Sequence, residues 1–149
     1  MKKTFGLLGE KLKHSYSPMI HICLGDYNYS LYEISPADLD KFMTEKNFDG
    51  INITIPYKQK VIPYCASVSE EAKSIGSVNT IIKDKNGFLH GYNTDYHGFR
   101  KMLALSKIDT YKKKVLVLGD GGSAQTVKAA LSDLGACEIV TISRRGENN

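Results

Sequence analysis

Lys58 and Asp95 have the setting best suited to chemistry. The first closes Asn52-Ile53-Thr54-Ile55-Pro56-Tyr57-Lys58 and the second closes Gly91-Tyr92-Asn93-Thr94-Asp95. Each lies just past an apolar run that reads as a β-strand. Open α/β sheets bind ligands in the crevice beyond the carboxyl ends of their strands, so an ammonium and a carboxylate placed there can face one pocket. A lysine ammonium can give a proton to a carbonyl oxygen as hydride reaches the carbon, or stabilise the developing alkoxide. Small-molecule oxidoreduction is the first reaction class to weigh.

A glycine loop points the same way. Gly119-Asp120-Gly121-Gly122-Ser123-Ala124 fits G-x-G-x-x-G/A, after a strand and at the opening of a helix, where the motif has mechanical meaning. Gly119, Gly121 and Gly122 allow a tight turn and close approach of a pyrophosphate, which the helix N-terminus then stabilises. A plain tight turn is the alternative, and the Asp120 carboxylate repels a pyrophosphate unless it is turned away. NAD sites place an acid about 20 residues further on, whereas NADP sites use arginine for the 2′-phosphate. That position reads Ser143-Arg144-Arg145, with no acid before Glu147, so NADP is the expected cofactor.

The amino-terminal half adds His14-Ser15-Tyr16-Ser17-Pro18. Ser15 and Ser17 lie in a loop leading into a helix and can bind a carboxylate together with the helix amides. Taken singly, each residue has a plainer account. Ser17 could only cap its helix, Lys58 could be a surface lysine, Asp95 could cap the helix that follows, and Asn79 could end a loop.

The elements that must position these residues alternate along the chain. Strands are expected at Thr4–Gly9, Tyr29–Ile34 and Asp49–Ile55. Helices are expected from Ser17-Pro18 to about Leu24, from Ser35-Pro36 through Leu39, Phe42 and Met43, from near Lys58, and from Ser69 to Ile75. Val78–Ile82 and Phe88–Tyr92 read as a hairpin around Lys85-Asn86-Gly87, followed by a helix from Tyr96 to about Leu105. Ile108–Lys113 is a polar connection that divides the chain into residues 1–107 and 108–149. Beyond it come strand Val115–Leu118, helix Ser123–Leu134 and strand Glu138–Ile142. This is an α/β chain in which a first domain precedes the opening βαβ portion of a nucleotide-binding sheet. Such a sheet needs further βα units, so the expectation is a fragment, or a partner that completes the edge at Glu138–Ile142.

Composition bounds the alternatives. Over 149 residues, 42% are apolar and 24% charged, as in a globular protein. No run approaches the ~18 apolar residues of a membrane span, and the strand-length apolar stretch after Met1-Lys2-Lys3 is too short for a signal peptide. A cytoplasmic location is expected. Cys23, Cys65 and Cys137 are an odd, widely spaced set without CxxC, which argues against a zinc site or disulfide framework. The Lys112-Lys113-Lys114 run has no interleaved aromatics for stacking on bases and reads as a solvated strand entry rather than a nucleic-acid contact.

The motifs occurring together say more than any one of them. His-Ser-x-Ser-Pro, Asn-x-Thr-x-Pro-x-Lys, Val-Asn-Thr and Gly-x-Asn-Thr-Asp, in this order before a Gly-x-Gly-Gly loop, closely resemble the shikimate dehydrogenase family from about Phe5 to Arg145. The resemblance implies an α/β substrate-binding domain followed by a Rossmann NADP-binding domain. It also implies NADPH-dependent reduction of 3-dehydroshikimate to shikimate, on the way to chorismate and the aromatic amino acids. Matched by position, Ser15 and Ser17 would hold the substrate carboxylate. Thr54, Asn79 and Asp95 would bind ring hydroxyls, and Lys58 and Asp95 would form the catalytic pair. Gly119, Gly121, Gly122, Ser123 and Ala124 match the phosphate loop, and Ser143-Arg144-Arg145 stands where the family usually shows Asn-Arg-Thr. Glu70 matches a family acid on the nicotinamide side, although a first-turn acid is also ordinary helix chemistry. The rival readings are a shikimate-binding fragment impaired in catalysis, and a quinate/shikimate dehydrogenase. The chain is expected to be a monomer or homodimer, with no nucleic-acid, membrane or metal partner.

Overall fold

The computed structural model describes residues 2–143. Its first sheet collects six strands: β1 (Thr4–Gly9), β2 (Asn28–Glu33), β3 (Gly50–Ile53), β4 (Ser67–Val68), β5 (Thr80–Lys83) and β6 (Leu89–Tyr92). Their order is β2-β1-β3-β5-β6-β4. β1 pairs in parallel with both β2 and β3, and β4 with β6, while β5 runs antiparallel to β3 and β6. The sheet is therefore mixed, because the hairpin turns β5 back on itself. Asp84 holds that turn, accepting the backbone N–H of Asn86 and of Phe88 at 2.9 and 2.8 Å, and Gly87 takes φ +83°, a conformation that favours glycine.

Four helices flank this sheet: α1 (Ser17–Leu24), α2 (Leu39–Glu45), α3 (Glu70–Ile75) and α4 (Thr94–Leu105). Leu8, Met43, Phe48, Ile51, Ile81 and Leu89 form the main core, so apolar positions from β1, α2, β3, β5 and β6 share one side of the sheet. α1 buries none of its residues. A second, two-stranded parallel sheet, β7 (Lys114–Leu118) with β8 (Glu138–Ile142), is crossed by α5 (Gly122–Asp133). Val117 and Leu131 pack with Leu103 of α4, and Ala130 packs with Tyr96 and Ile75. α5 thus joins the two sheets.

Several expectations are corrected. No helix begins near Lys58: the chain turns there and makes only a short 3-10 segment, Ile62–Tyr64, since Pro63 lacks the backbone donor that a helix running on from Lys58 needs there. Ser17 is the first helical residue of α1 and not its cap. The Ser15 hydroxyl accepts the Ser17 backbone N–H at 3.2 Å. α2 starts at Leu39, because Ser35 bonds to the Asp38 carboxylate at 2.6 Å in a preceding turn. β4, only two residues long, has no readable alternation. Ser69 does cap α3, accepting the Ala72 N–H at 3.3 Å. The lysine run behaves as a strand entry, with Lys114 paired to Glu138 of the neighbouring strand at 2.8 Å. Among the described residues, no helix is long and apolar enough to cross a membrane.

Candidate active site

The topology brings distant segments to one edge. Ser15 and Ser17 follow the carboxyl end of β1, Thr54 and Lys58 follow β3, and Asp95 follows β6. Asn79 precedes β5, which runs the other way, so its amino end lies at the same edge. This is where α/β sheets present ligand sites. A cleft of about 760 Å³ opens there, lined by Ser15, Ser17, Thr54, Lys58, Asn79 and Asp95.

Lys58 is the centre of the site. Its residue is 8% exposed, and its ammonium donates to Asp95 Oδ2 at 2.6 Å and to Ser123 Oγ at 3.0 Å. The lysine backbone is held as well, its carbonyl accepting the Val78 N–H at 2.8 Å. A buried cation requires such partners. Asp95 is free to provide one because Asn93, not Asp95, caps α4 by accepting the Tyr96 N–H. As a first-turn acid, Asp95 also sits where the helix dipole favours a carboxylate.

Asn79 is held from both sides. Its Oδ1 accepts the Thr94 backbone N–H at 2.8 Å and its amide donates to the Thr94 hydroxyl at 2.9 Å. Beside it, Tyr29 donates to Asn52 Oδ1 at 2.9 Å, and Asn52 reaches the Thr80 hydroxyl at 3.4 Å. The Tyr29 phenol is pushed up from its ordinary pKa, chiefly by burial, while a Ser17 hydrogen bond pulls the other way. It stays a neutral donor. Asn52, Thr94, Lys11, Lys13 and His14 also line the cleft and were not among the expected site residues. The alternation of Asn52 with Thr54 and the place of Thr94 beside Asp95 carry a signal for two of them. Lys11 and Lys13 give the entrance positive charge suited to an anion.

A second cleft, about 410 Å³, lies between Ile55-Pro56, Gln59 and Asp120-Gly121-Gly122, and Lys58 lines this one too. The two clefts therefore share one side chain. Gly119 has φ +117°, and a Cβ at Gly119 or Gly121 would meet nothing within 4 Å, so the loop faces open space. No side chain caps α5, which leaves its first amides available to an anion. The Asp120 carboxylate accepts a bond from Ser143 at 3.0 Å. These features fit a dinucleotide phosphate. At Gly122, in contrast, a Cβ would lie 3.3 Å from both Lys58 Cβ and Ser77 Oγ, so the loop packs closely against the lysine.

Not every expected residue gathers here. Glu70 lines neither cleft; its carboxylate is exposed and pairs with Lys73 at 2.8 Å. Ser123 sits on the glycine loop, but its hydroxyl faces the lysine. Ala124 lies in the first turn of α5, packed among Leu103, Val117 and Leu131. Ser143 is the last described residue, and Arg144 and Arg145 lie outside the described residues.

Comparison with known proteins agrees with this geometry. A family model described as the shikimate dehydrogenase substrate binding domain matches residues 7–81. A shikimate dehydrogenase (NADP(+)) of Clostridium beijerinckii is 42% identical over 97% of this chain, which spans 56% of that relative. The crystal structure of shikimate dehydrogenase 1 from Peptoclostridium difficile superposes with a TM-score of 0.91 at 38% identity, covering 97% of this chain and 57% of its own. That of the Thermus thermophilus enzyme, in complex with NADP(H) and shikimate, gives 0.85 at 33% identity, covering 96% and 56%. The chain spans about half the length of the relatives it matches.

Proposed function

The chain belongs to the shikimate dehydrogenase family through its substrate binding domain, and from that premise we propose that it binds shikimate or 3-dehydroshikimate in the larger cleft. There it supplies the proton-transfer machinery for NADP-dependent interconversion of the two. The observation that carries this reading is the Lys58–Asp95 pair, 2.6 Å apart in the larger cleft, with Lys58 also lining the smaller one. Residues 1–107 form the substrate part and residues 108–149 the start of the nucleotide part. A cytoplasmic location fits the role.

Each residue has a definite task. Ser15 and Ser17 hold the ring carboxylate, with the basic entrance of Lys11 and Lys13 drawing the anion in. Thr54 and Asn79 bind ring hydroxyls; the Thr94 bonds fix the Asn79 amide so that it need not reorganise. Lys58 donates its proton to the ketone oxygen during reduction and takes it back during oxidation. Asp95 orients the ammonium, gives it an acceptor in its buried setting and binds the neighbouring hydroxyl. A nicotinamide cofactor bound in the smaller cleft would supply the hydride. The open glycine loop and uncapped α5 would hold its phosphates, and in the sequence Arg144 and Arg145 stand where NADP proteins use arginine for the 2′-phosphate.

The test titrates shikimate, then quinate, into the chain while following backbone amide resonances, and assays each as a substrate with NADP+. Saturable shifts at Ser15, Asn79 and Asp95 support the reading, and absence of saturable shikimate binding overturns it. Binding without turnover selects a catalytically impaired binding fragment, and faster oxidation of quinate selects a quinate/shikimate enzyme.

A further inference from the structure

The Ser123 hydroxyl lies on the glycine loop, where a phosphate ligand is the obvious partner, yet it meets Lys58 Nζ at 3.0 Å. The bond crosses the seam between the two sheets, joining groups 65 residues apart. An ammonium has three N–H donors. Asp95 takes one at 2.6 Å and Ser123 another, which leaves a single N–H for a ligand in the cleft that Lys58 lines.

Two fixed acceptors matter because a lysine head group on four methylenes is otherwise free to rotate. Asp95 alone leaves the ammonium able to swing about the one bond, whereas a second acceptor fixes the direction of the remaining N–H. Close packing brings the acceptor there. Gly122 lies against Lys58, where a Cβ would sit 3.3 Å from Lys58 Cβ, closer than ordinary van der Waals packing. Asn93 ties the seam by donating to the Ser77 carbonyl at 2.9 Å and the Thr126 hydroxyl at 3.1 Å.

We propose that Ser123 is a positioning residue, its hydroxyl acting with Asp95 to orient the Lys58 ammonium so that one N–H faces the substrate cleft. This rests on the reading of Lys58 as the proton donor and gives Ser123 a task distinct from phosphate binding. A hydroxyl that accepts from Lys58 can still donate its own proton onward, so the two tasks are compatible.

The test uses the chain labelled uniformly with 15N and follows the exchange of the Lys58 ammonium protons with water, the resonance being assigned by its loss in Lys58→Met. A slowly exchanging signal is expected in the unsubstituted chain and in Ser123→Thr, which keeps the hydroxyl. In Ser123→Ala exchange becomes about tenfold faster, as expected on losing a hydrogen bond to a charged group. Ser123 is exposed on the first turn of α5, so alanine leaves the fold intact, and an unchanged thermal midpoint verifies this. Addition of shikimate shifts the Lys58 signal in the unsubstituted chain and in Ser123→Thr. In Ser123→Ala it moves only the Ser15 and Asn79 amides. Exchange that is the same in Ser123→Ala, or no slowly exchanging Lys58 signal at all, overturns the proposal. If shikimate moves no resonance in any variant, the substrate assignment fails, and the exchange rates still decide the role of Ser123.

Discussion

Asn93 Oδ1 accepts the backbone N–H of Tyr96 at 3.1 Å, and this bond caps α4. The amide nitrogen of the same side chain donates to Ser77 and Thr126, and the residue is 3% exposed. One buried asparagine thus starts the helix that carries Asp95 and also fastens that helix start to α5.

Replacing Asn93 by alanine therefore removes a cap worth about 1 kcal/mol and leaves two buried groups without their donor, at about 1–3 kcal/mol for such a loss. Destabilisation of about 2–4 kcal/mol is expected from urea unfolding. Asn93→Asp keeps the capping acceptor but sets a buried carboxylate oxygen against the Ser77 carbonyl, so it should lose at least as much. A loss below about 1 kcal/mol in Asn93→Ala would contradict both roles.

The paired hydroxyls of Ser15 and Ser17 are expected to recognise charge. Hydrogen bonds to ionised groups contribute about 1.5–3 kcal/mol each, so Ser15→Ala with Ser17→Ala should weaken shikimate binding by at least about tenfold. The methyl ester of shikimate separates this from general damage. The unsubstituted chain should prefer the acid strongly and the double variant hardly at all. Calorimetric titration with both ligands reads the difference.

Among the three cysteines, Cys23 and Cys137 are exposed, whereas burial pushes the Cys65 thiol up to about 11. The thiolate is the reactive form, so at pH 8 a disulfide reagent should titrate two thiols quickly and the third slowly. Raising the pH toward 11 should close the gap, and so should guanidinium. Three equally fast thiols at pH 8 in the native chain would contradict the packing around Cys65.

Asp84 in the β5–β6 turn is held below the usual carboxylate range, first by the Phe88 backbone N–H, with His90 and Asn86 adding to it. A carboxyl whose folded pKa is depressed stabilises the fold above its unfolded value of about 3.9 and loses that contribution as pH falls through the lower folded value. Asp84→Asn keeps an acceptor for the turn but does not titrate. The stability gap between the two proteins, measured in urea from pH 6 down to pH 3, should narrow below about pH 4. A gap constant with pH would show that the turn bonds do not depend on charge.

The order of strands and helices was largely legible because glycine and proline mark the ends of apolar runs: Gly25 closes α1 and Gly76 closes α3. The region after Lys58 was not, since the spacing of Tyr57, Val61 and Ile62 mimics a helix while Pro63 interrupts one. Ser15 and Ser17, or Asn93 and Asp95, are pairs of good capping residues two apart. Local chemistry cannot choose between them. The choice is made by what lies across the fold: Asn93 is drawn inward by Ser77 and Thr126, and Asp95 by Lys58. The cleft residues of the quoted motifs came together as expected, because each motif sits at a strand end on one edge. The Lys58–Ser123 bond had no local signal, as it depends on how α5 packs against α3 and α4.

The Tyr96 hydroxyl of α4 donates to Asp133 of α5 at 2.5 Å and accepts from Arg100 at 2.6 Å. The surface on which the carboxy-terminal βαβ unit rests is thus written in the same helix that presents Asp95 to Lys58. A chimera that exchanges everything after residue 107 for a foreign nucleotide-binding half would inherit an α4 shaped for another neighbour. After residue 107 the graft would have to reproduce the Thr126 and Asp133 partners of Asn93 and Tyr96 to keep the lysine aligned, so the workable point of exchange lies before this helix rather than after it.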